Sequence, residues 1–502
     1  MITKILVANR GEIAVRVIRA AREMAIKSVA VYSTADAKAM HTSLADESVC
    51  IGNPEPAASY LDGAKIIAAA KKTGADAVHP GYGFLSESAE FSEACRDAGL
   101  TFIGPPPEAM RKLGAKIDAK KLAVENDVPI VPGFFEDGAT NAQLKKAAKE
   151  IGYPVMLKAS AGGGGRGMRI VRKAAEFDHE LKMASEESLK SFGDGAMMVE
   201  KLIERPRHIE VQVLADTHGN VACLFERECS LQRRHQKVVE EAPSPVMTDG
   251  LWLAMRGAAE RLVKASGYVG AGTVEFMFDE ASGEYFFLEV NARLQVEHPV
   301  TEAITGVDLV QEQIKIASGE ALSLSKALME GDRSAIDGHA IEVRVISEDP
   351  SKGFLPSVGK IIGWAEPLNS DVRVDTGFAA GSEVSHHYDS LLAKLIVHQQ
   401  NRKDAIKNMD AALQDFHILG VTTNISFLLD VVRHKEFVAT RFDTGFLQRE
   451  FGEWATGEDL PVELSDIMAL AATYSSSLGD GEARPVKHAW EGASGFRITG
   501  HR

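Results

Sequence analysis

The chain has 502 residues, and 71 acidic against 56 basic side chains leave it with a formal charge of −15. So acidic a balance excludes broad nucleic-acid binding, and any anionic substrate must be caught by local basic groups. No apolar run approaches a membrane span, and the apolar part of M-I-T-K-I-L-V-A-N-R is too short for a signal peptide, so a cytoplasmic protein without a membrane partner is expected.

The length predicts about three domains. Cys50, Cys95, Cys223 and Cys229 form no C-x-x-C pair, which fits a reducing compartment and neither a disulfide framework nor a zinc site. Cys229 stands beside a charged run and reads as a buried structural thiol.

Residues 1–115 alternate short apolar runs (Ile5 to Ala8, Val29 to Tyr32, Ala77 to His79, Thr101 to Ile103) with helix-like segments at Glu12 to Met24 and Gly63 to Thr73. The alternation predicts βαβ units, hence a parallel sheet covered by helices. The first turn, N-R-G-E-I-A, lacks the G-x-G-x-x-G of dinucleotide binders. The loop H-P-G-Y-G-F-L-S-E, His79 to Glu87, follows a strand, which is where ligands bind in open α/β sheets; it reads equally as a tight turn.

From Lys116 to about Thr140 the pattern is helical and then Pro-rich, a boundary. Pro154 to Lys158 is a short strand ending in a lysine, and Ser160 to Met168 is a Gly-rich loop. Four consecutive glycines offer nothing to bury, but they let backbone N–H groups wrap a phosphate. No G-x-x-x-x-G-K-[ST] occurs, so the chain is not a P-loop enzyme. Met197 to Ile203 is a strand turning polar at Glu200 and Lys201. It leads into a hairpin with His208, Glu210 and Gln212 on one face, and then into the charged run C-S-L-Q-R-R-H-Q-K-V-V-E-E, Cys229 to Glu241.

The chemistry is densest from Gly272 to Pro299. T-V-E-F-M-F and Y-F-F-L-E-V are strands joined by the hairpin loop D-E-A-S-G-E, and folding about Ser282 sets Glu275 opposite Glu289. Facing carboxylates about 5 Å apart at Cβ repel unless a cation lies between them. The Glu and Asn oxygens there suit Mg²⁺ or Mn²⁺ completed by a nucleotide phosphate. From Glu289 the residues alternate strictly, so an extended segment puts Glu289, Asn291, Arg293, Gln295 and Glu297 on one face. A second, anionic substrate is expected beyond the metal.

Taken together, the Lys116 helix, V-M-L-K with its glycine loop, M-V-E-K, Q-R-R-H-Q-K-V-V-E-E and E-V-N-A-R-L-Q-V-E-H-P-V-T-E resemble the biotin carboxylase member of the ATP-grasp superfamily over residues 1 to about 447. The resemblance implies an α/β and α+β architecture. It comprises an N-terminal parallel α/β domain (1–115), an ATP-grasp domain (116–330) with a mobile glycine-rich lid at about 131–203, and a C-terminal mixed domain (331–447). It further implies that Lys116, Lys158, Gly162, Gly163, Gly164, Gly165, Glu200, Lys201, Ile203, His208, Gln232 and His235 hold ATP, and that Glu275, Glu289 and Asn291 hold Mg²⁺ or Mn²⁺. Lys237, Arg293, Gln295, Val296 and Glu297 match the bicarbonate site, and Tyr82 and Arg344 match positions near biotin. Catalysis would then rest on Arg293, Glu297 and Lys237. Two departures stand out: Ala161 where the family usually has glycine, and no aromatic around Leu368 to Val372, the dimer contact of stand-alone bacterial members, which leaves a homodimer open.

The implied activity is ATP-dependent carboxylation of biotin by bicarbonate through carboxyphosphate, the first half-reaction of an acyl-CoA carboxylase of the acetyl-CoA or propionyl-CoA type. A two-subunit pyruvate carboxylase is an alternative. Another ATP-grasp ligase joining a carboxylate to an amine would share the metal hairpin but not R-x-Q-V-E-H with Lys237. A non-catalytic ATP-binding subunit would need a broken acid pair or base, and Glu275, Glu289, Arg293 and Glu297 are all present. Lys182 and Met183 adjoin, but no Met-Lys-Met lies in a β-rich terminal region. The expectation is one subunit working with a separate biotin carboxyl carrier protein and a carboxyltransferase subunit. Residues 448–502 carry Leu464, Ile467, Met468, Leu470 and Ala471 in one apolar stripe along Val462 to Leu478. That tail looks like the start of the interaction domain of long carboxylase α-subunits and reads as a partner-docking segment, or else as a helix packed on its own domain.

Overall fold

The computed structural model describes residues 2–136, 138–160, 167–234, 236–368 and 371–454. Ala161, Gly162 to Gly165, His235 and the tail helix at Val462 to Leu478 lie outside the described residues.

Among these residues, β1 (Lys4–Val7), β2 (Lys27–Ser33), β3 (Glu47–Gly52), β4 (Ala77–His79) and β5 (Thr101–Phe102) form a parallel sheet in the order β3-β2-β1-β4-β5. Four of these strands match the apolar runs; β3 is an edge strand whose E-S-V-C-I-G leaves most side chains exposed or half-buried, so its apolar signal is weak. Helix Gly11–Glu23 buries Ile13, Val17 and Ile18 against the sheet, the stripe that a period of 3.6 lays along one side. Helix Gly63–Thr73 spans the predicted bounds, with Asp62 capping the Lys65 amide and Gly74 closing it at φ +68°.

A second, antiparallel sheet orders β6 (Gly133–Phe134), β7 (Val155–Ala159), β8 (Arg169–Val171) and β9 (Met197–Lys201) as β6-β9-β7-β8. Helices Asn141–Ile151 and Phe177–Phe192 cover one face, where Val155, Leu157 and Ala159 are buried. Strand alternation sends Met156 and Lys158 to the opposite face.

The largest sheet joins β10 (Arg207–Ala215), β11 (Val221–Arg233), β12 (Gln236–Ala242), β13 (Gly270–Asp279), β14 (Glu284–Asn291) and β15 (His339–Ile346) with strands Leu391–Gln399 and Val372–Thr376. Its order starts β14-β13-β10-β11-β12-β15 and runs on through those last two strands, so it crosses from the central part of the chain into the C-terminal part without a break. The crossing is the β12–β15 ladder, with Val239 opposite Val343 and Glu240 opposite Glu342.

The N-terminal helix docks on the far end of this sheet. Arg16 reaches Glu302 and Asp308, each at 2.8 Å, Arg373 reaches Glu302 at 2.8 Å, and Lys394 lies 3.5 Å from Glu12. Gly377 permits the approach, because a Cβ there would stand 2.6 Å from the Gly11 carbonyl carbon and 2.8 Å from the Glu12 nitrogen, both backbone atoms. Gly377→Ala is therefore expected to cost about 1–3 kcal/mol by overpacking, read as a lower denaturation midpoint. Gly250→Ala, with nothing within 4 Å of its Cβ, serves as the control whose midpoint does not fall.

Candidate active site

The site begins at the β13–β14 hairpin. Glu275 faces Glu289 and Thr273 faces Asn291, the register expected from folding about Ser282. Glu275 is neutralised from two sides, by His208 Nε2 at 3.0 Å and Lys237 Nζ at 2.9 Å, and Asn291 Nδ2 donates to it at 2.8 Å. Burial alone would lift its pKa, and Lys237 and His208 hold it well below the carboxylate range. Glu289 differs: burial and then the Glu275 charge raise its pKa, and it forms no ion pair within 4.0 Å among the described residues. Two carboxylates and an amide converging with one anion uncompensated fit a hard divalent cation such as Mg²⁺ or Mn²⁺.

Lys237, placed inward by β12, ties the face together. Its ammonium donates to Glu210, to Glu275, to Glu297 Oε1 at 2.6 Å and to Gln295 Oε1 at 3.3 Å. Burial favours the neutral amine, but three carboxylates raise its pKa well above the ordinary value, so it is an ammonium at neutral pH. Glu297 precedes helix His298–Thr305, whose start carries Pro299. Its other oxygen accepts from Arg344 Nη2 at 3.0 Å. Burial works to raise its pKa, yet Lys237, Arg344 and Arg227 hold it far below the carboxylate range, so Glu297 is ionised.

Beneath this layer lies Arg227, which sequence reasoning missed. Fully buried, it donates to Glu210 at 2.6 Å, Gln212 at 2.6 Å, Thr301 at 2.9 Å and Thr273 at 3.0 Å. The His208, Glu210 and Gln212 face was visible as alternation, and Arg227 sits in the paired strand with Glu210 as its register partner.

The extended face does not continue as a strand. β14 ends at Asn291, because the Ala292 amide is captured by Glu87 Oε1 at 3.1 Å instead of a sheet neighbour. Arg293 also turns to Glu87, at 3.0 Å, and to Asn291 Oδ1 at 3.0 Å. Arg293, Gln295, Val296 and Glu297 still line the same cavity as Glu275 and Glu289, reached through a turn. The loop His79 to Glu87 thus meets the site through Glu87, while Tyr82 packs against the hydrophobic core and does not line the cavity.

That cavity, of about 870 Å³, extends to Lys116, Lys158, Glu200, Lys201, Ile203, His208 and Gln232, and Arg344 lines it as well. Glu200 is clamped between Lys120 at 2.5 Å and Lys158 at 2.6 Å. Burial opposes its charge, and Lys158 and Lys120 bring its pKa down to about 2. Lys120 had not been singled out, although it stands one turn beyond Lys116 on helix Lys116–Glu125. The far wall is aromatic, with Phe354, Phe427, Phe451 and Trp454. Cys229 is buried, and burial raises its thiol well above the ordinary value.

Residues 1–110 match the family model "Biotin carboxylase, N-terminal domain", 115–325 match "Carbamoyl-phosphate synthase L chain, ATP binding domain", and 342–449 match "Biotin carboxylase C-terminal domain". Biotin carboxylase 1 of Bacillus subtilis is 47% identical over 89% of this chain and 98% of its own length. The methylcrotonoyl-CoA carboxylase α-subunit of Dictyostelium discoideum is 46% identical over 99% of this chain and 71% of its own, and for the Rattus norvegicus subunit the chain spans 62% of the relative's length. Among solved structures, a biotin carboxylase of Campylobacter jejuni superposes with a TM-score of 0.85 at 43% identity, covering 90% of this chain and 99% of that one. The biotin carboxylase domain of Hydrogenobacter thermophilus 2-oxoglutarate carboxylase, in complex with MgADP and bicarbonate, superposes with a TM-score of 0.86 at 44% identity, covering 91% of this chain and all of that one. With a shared scaffold and near-complete coverage of the Bacillus and Campylobacter proteins, the chain belongs to the biotin carboxylase family.

Proposed function

We propose that this chain carboxylates biotin, carried on a separate protein, with bicarbonate and ATP through carboxyphosphate. The observation that carries this reading is one cavity holding a lysine cluster (Lys116, Lys158), the Glu275–Glu289 pair, and an anion-catching group of Lys237, Arg293 and Gln295 around an ionised Glu297. The MgADP and bicarbonate bound by the Hydrogenobacter neighbour support the same pair of substrates.

Phosphoryl transfer needs positioning and charge neutralisation more than covalent help. Lys116 and Lys158 would meet the phosphates, with Glu200 and Lys120 fixing the reach of Lys158. A Mg²⁺ or Mn²⁺ ion on Glu275, Glu289 and Asn291 would supply further phosphate neutralisation when bound. Bicarbonate, a poor nucleophile, would lie against Lys237 and Arg293, and Glu297 would take its proton as it attacks the γ-phosphate. Carboxyphosphate would break down to CO₂ and phosphate beside biotin, the phosphate taking the ureido N–H proton before that nitrogen attacks CO₂. Arg293, released from Glu87, would stabilise the enolate-like oxygen of deprotonated biotin, with Arg344 beside it.

We further propose an acyl-CoA as the final acceptor, reached through a carboxyltransferase partner. Relatives at 45–48% identity include methylcrotonoyl-CoA and propionyl-CoA carboxylase α-chains, and the Dictyostelium match runs over 99% of this chain. The match to the Dictyostelium α-subunit covers 99% of this chain, whereas those to the Rattus α-subunit and the Bacillus protein each cover 89%; an α-subunit alignment that runs into residues 455–502 supports a docking role for the tail.

Purified protein should cleave ATP only when bicarbonate is present, and free biotin should stimulate it; equal cleavage with bicarbonate rigorously removed rules the proposal out. Glu289→Gln should lower metal-ATP use at least tenfold, whereas Arg293→Ala should leave nucleotide affinity within about threefold and cut biotin carboxylation about a hundredfold. Loss of nucleotide binding in Arg293→Ala would show that the anion face is misassigned. Deleting Ala455 to Arg502 should spare carboxylation of free biotin and release the carrier or carboxyltransferase in gel filtration; continued co-elution counts against a docking tail.

A further inference from the structure

One buried carboxyl on the site's sheet is used by none of these steps. Glu342, on β15, is 0% exposed, and neither of its oxygens has a hydrogen-bond partner among the described residues. Its register partner across the β12–β15 ladder is Glu240, also 0% exposed. Glu240 spends one oxygen on Arg344, whose Nε lies 2.7 Å away, and its Oε2 has no partner. Two buried carboxyls thus face each other at cross-strand spacing, about 5 Å at Cβ, with three oxygens that accept no hydrogen bond and no ion pair to Glu342 within 4.0 Å among the described residues.

Lys394 and Arg344 pull against burial from nearby, but neither pairs with Glu342. Lys394, from strand Leu391–Gln399, donates to the Val296 carbonyl at 2.9 Å and lies 3.5 Å from Glu12 and 3.6 Å from Asp375, and it makes no ion pair with Glu342 within 4.0 Å. Arg344, two residues along β15 on the same face, is engaged by Glu240 and Glu297. Helix His298–Thr305 packs over β12, β15 and the Lys394 strand and presents His298, a ring that burial and then Lys394 keep neutral. Lys237, farther along β12, is held by Glu210, Glu275 and Glu297.

An isolated buried carboxylate is far more costly than a neutral acid hydrogen-bonded to a neighbouring carboxylate. We propose that Glu342 is a neutral carboxylic acid at physiological pH, its proton shared with Glu240, and that this acid pair positions Arg344 between Glu240 and Glu297. Burial pushes the Glu240 carboxyl up, Arg344 pulls it back, and it rests at about 7, while burial lifts Glu342 well above the carboxylate range. Glu240 and Glu342 are positioning residues, acting through Arg344. The proton lets the pair carry a single negative charge, enough to hold one oxygen against the guanidinium without drawing it away from Glu297. The kinetic consequence rests on the reading of Arg344 as a biotin-side residue, and the protonation does not.

The test uses the full chain. A carboxyl that keeps its proton when folded and loses it when unfolded weakens the fold as pH rises above the ordinary carboxylate range. Glu342→Gln keeps the shape and a donor and removes that dependence, so its denaturation midpoint relative to the native chain should climb as pH rises above the ordinary carboxylate range. A flat or falling difference means that Glu342 is an anion in the fold, and overturns the proposal. Should Glu342→Gln fail to fold, carbon-13 spectra of glutamate carboxyls decide: a protonated signal at about pH 7 in the native chain that is perturbed in Glu240→Gln supports the pair, and its absence overturns it. Glu240→Gln should raise KM for free biotin about tenfold with a smaller change in kcat, and an unchanged KM overturns the positioning role. Failure of bicarbonate dependence in the native chain would instead strike the proposed function and leave the pH series standing.

Discussion

Three carboxylates from three separate places in the fold meet at one ammonium. Glu210 comes from β10, Glu275 from β13 and Glu297 from the start of a helix, and Lys237 of β12 lies within hydrogen-bond reach of each. None of the three could be buried alone, since an unpaired interior charge costs several kcal/mol. The arrangement therefore fixes the spacing of strands that are not neighbours in the sheet, and with it the distance between the Glu275–Glu289 pair and the Arg293-to-Glu297 turn. Arg227 repeats the device one layer down, holding Glu210 from the opposite oxygen.

The same logic explains how so acidic a chain can face anionic substrates. Its −15 formal charge would repel phosphate and bicarbonate if evenly spread. Inside the cavity the balance is reversed locally: Lys116, Lys120 and Lys158 gather around Glu200 and Glu289, and Lys237, Arg293 and Arg344 around Glu297. Glu200 holds Lys120 and Lys158, and Glu297 holds Lys237 and Arg344, so these cations are ordered before a ligand arrives. Preorganised charge of this kind is what an anionic transition state uses, because it needs no rearrangement at the moment of reaction.

Much of this was readable from local pattern. The hairpin pairing of Glu275 with Glu289 follows from two apolar runs and a short Gly-containing loop, and a period of two assigns their faces. The alternation from Glu289 to Glu297 named the right residues for the cavity, but it carries no information on where hydrogen bonding to the sheet stops. That is decided by Glu87, some two hundred residues earlier, capturing the Ala292 amide. Arg227 and Lys120 were missed because a charged residue in a strand or helix reads as a solvated face unless its long-range partner is known. Glu240 and Glu342 are register partners across a hundred residues of chain, and no periodicity in either strand announces that both are interior.

The unbroken sheet across the β12–β15 ladder bears on how the chain can be divided. Sequence motifs suggest a seam near residue 330, yet fragments cut there would part β12 from β15 and leave each with a row of unpaired backbone amides and carbonyls along its new edge. Such fragments would recombine or aggregate before they behaved as separate modules. A split-protein reporter built at that seam would draw its reassembly from the ladder itself, whereas a cut in the linker that leads to β6, which touches the sheet where Ile130 bridges Phe287 of β14, would leave the ladder whole.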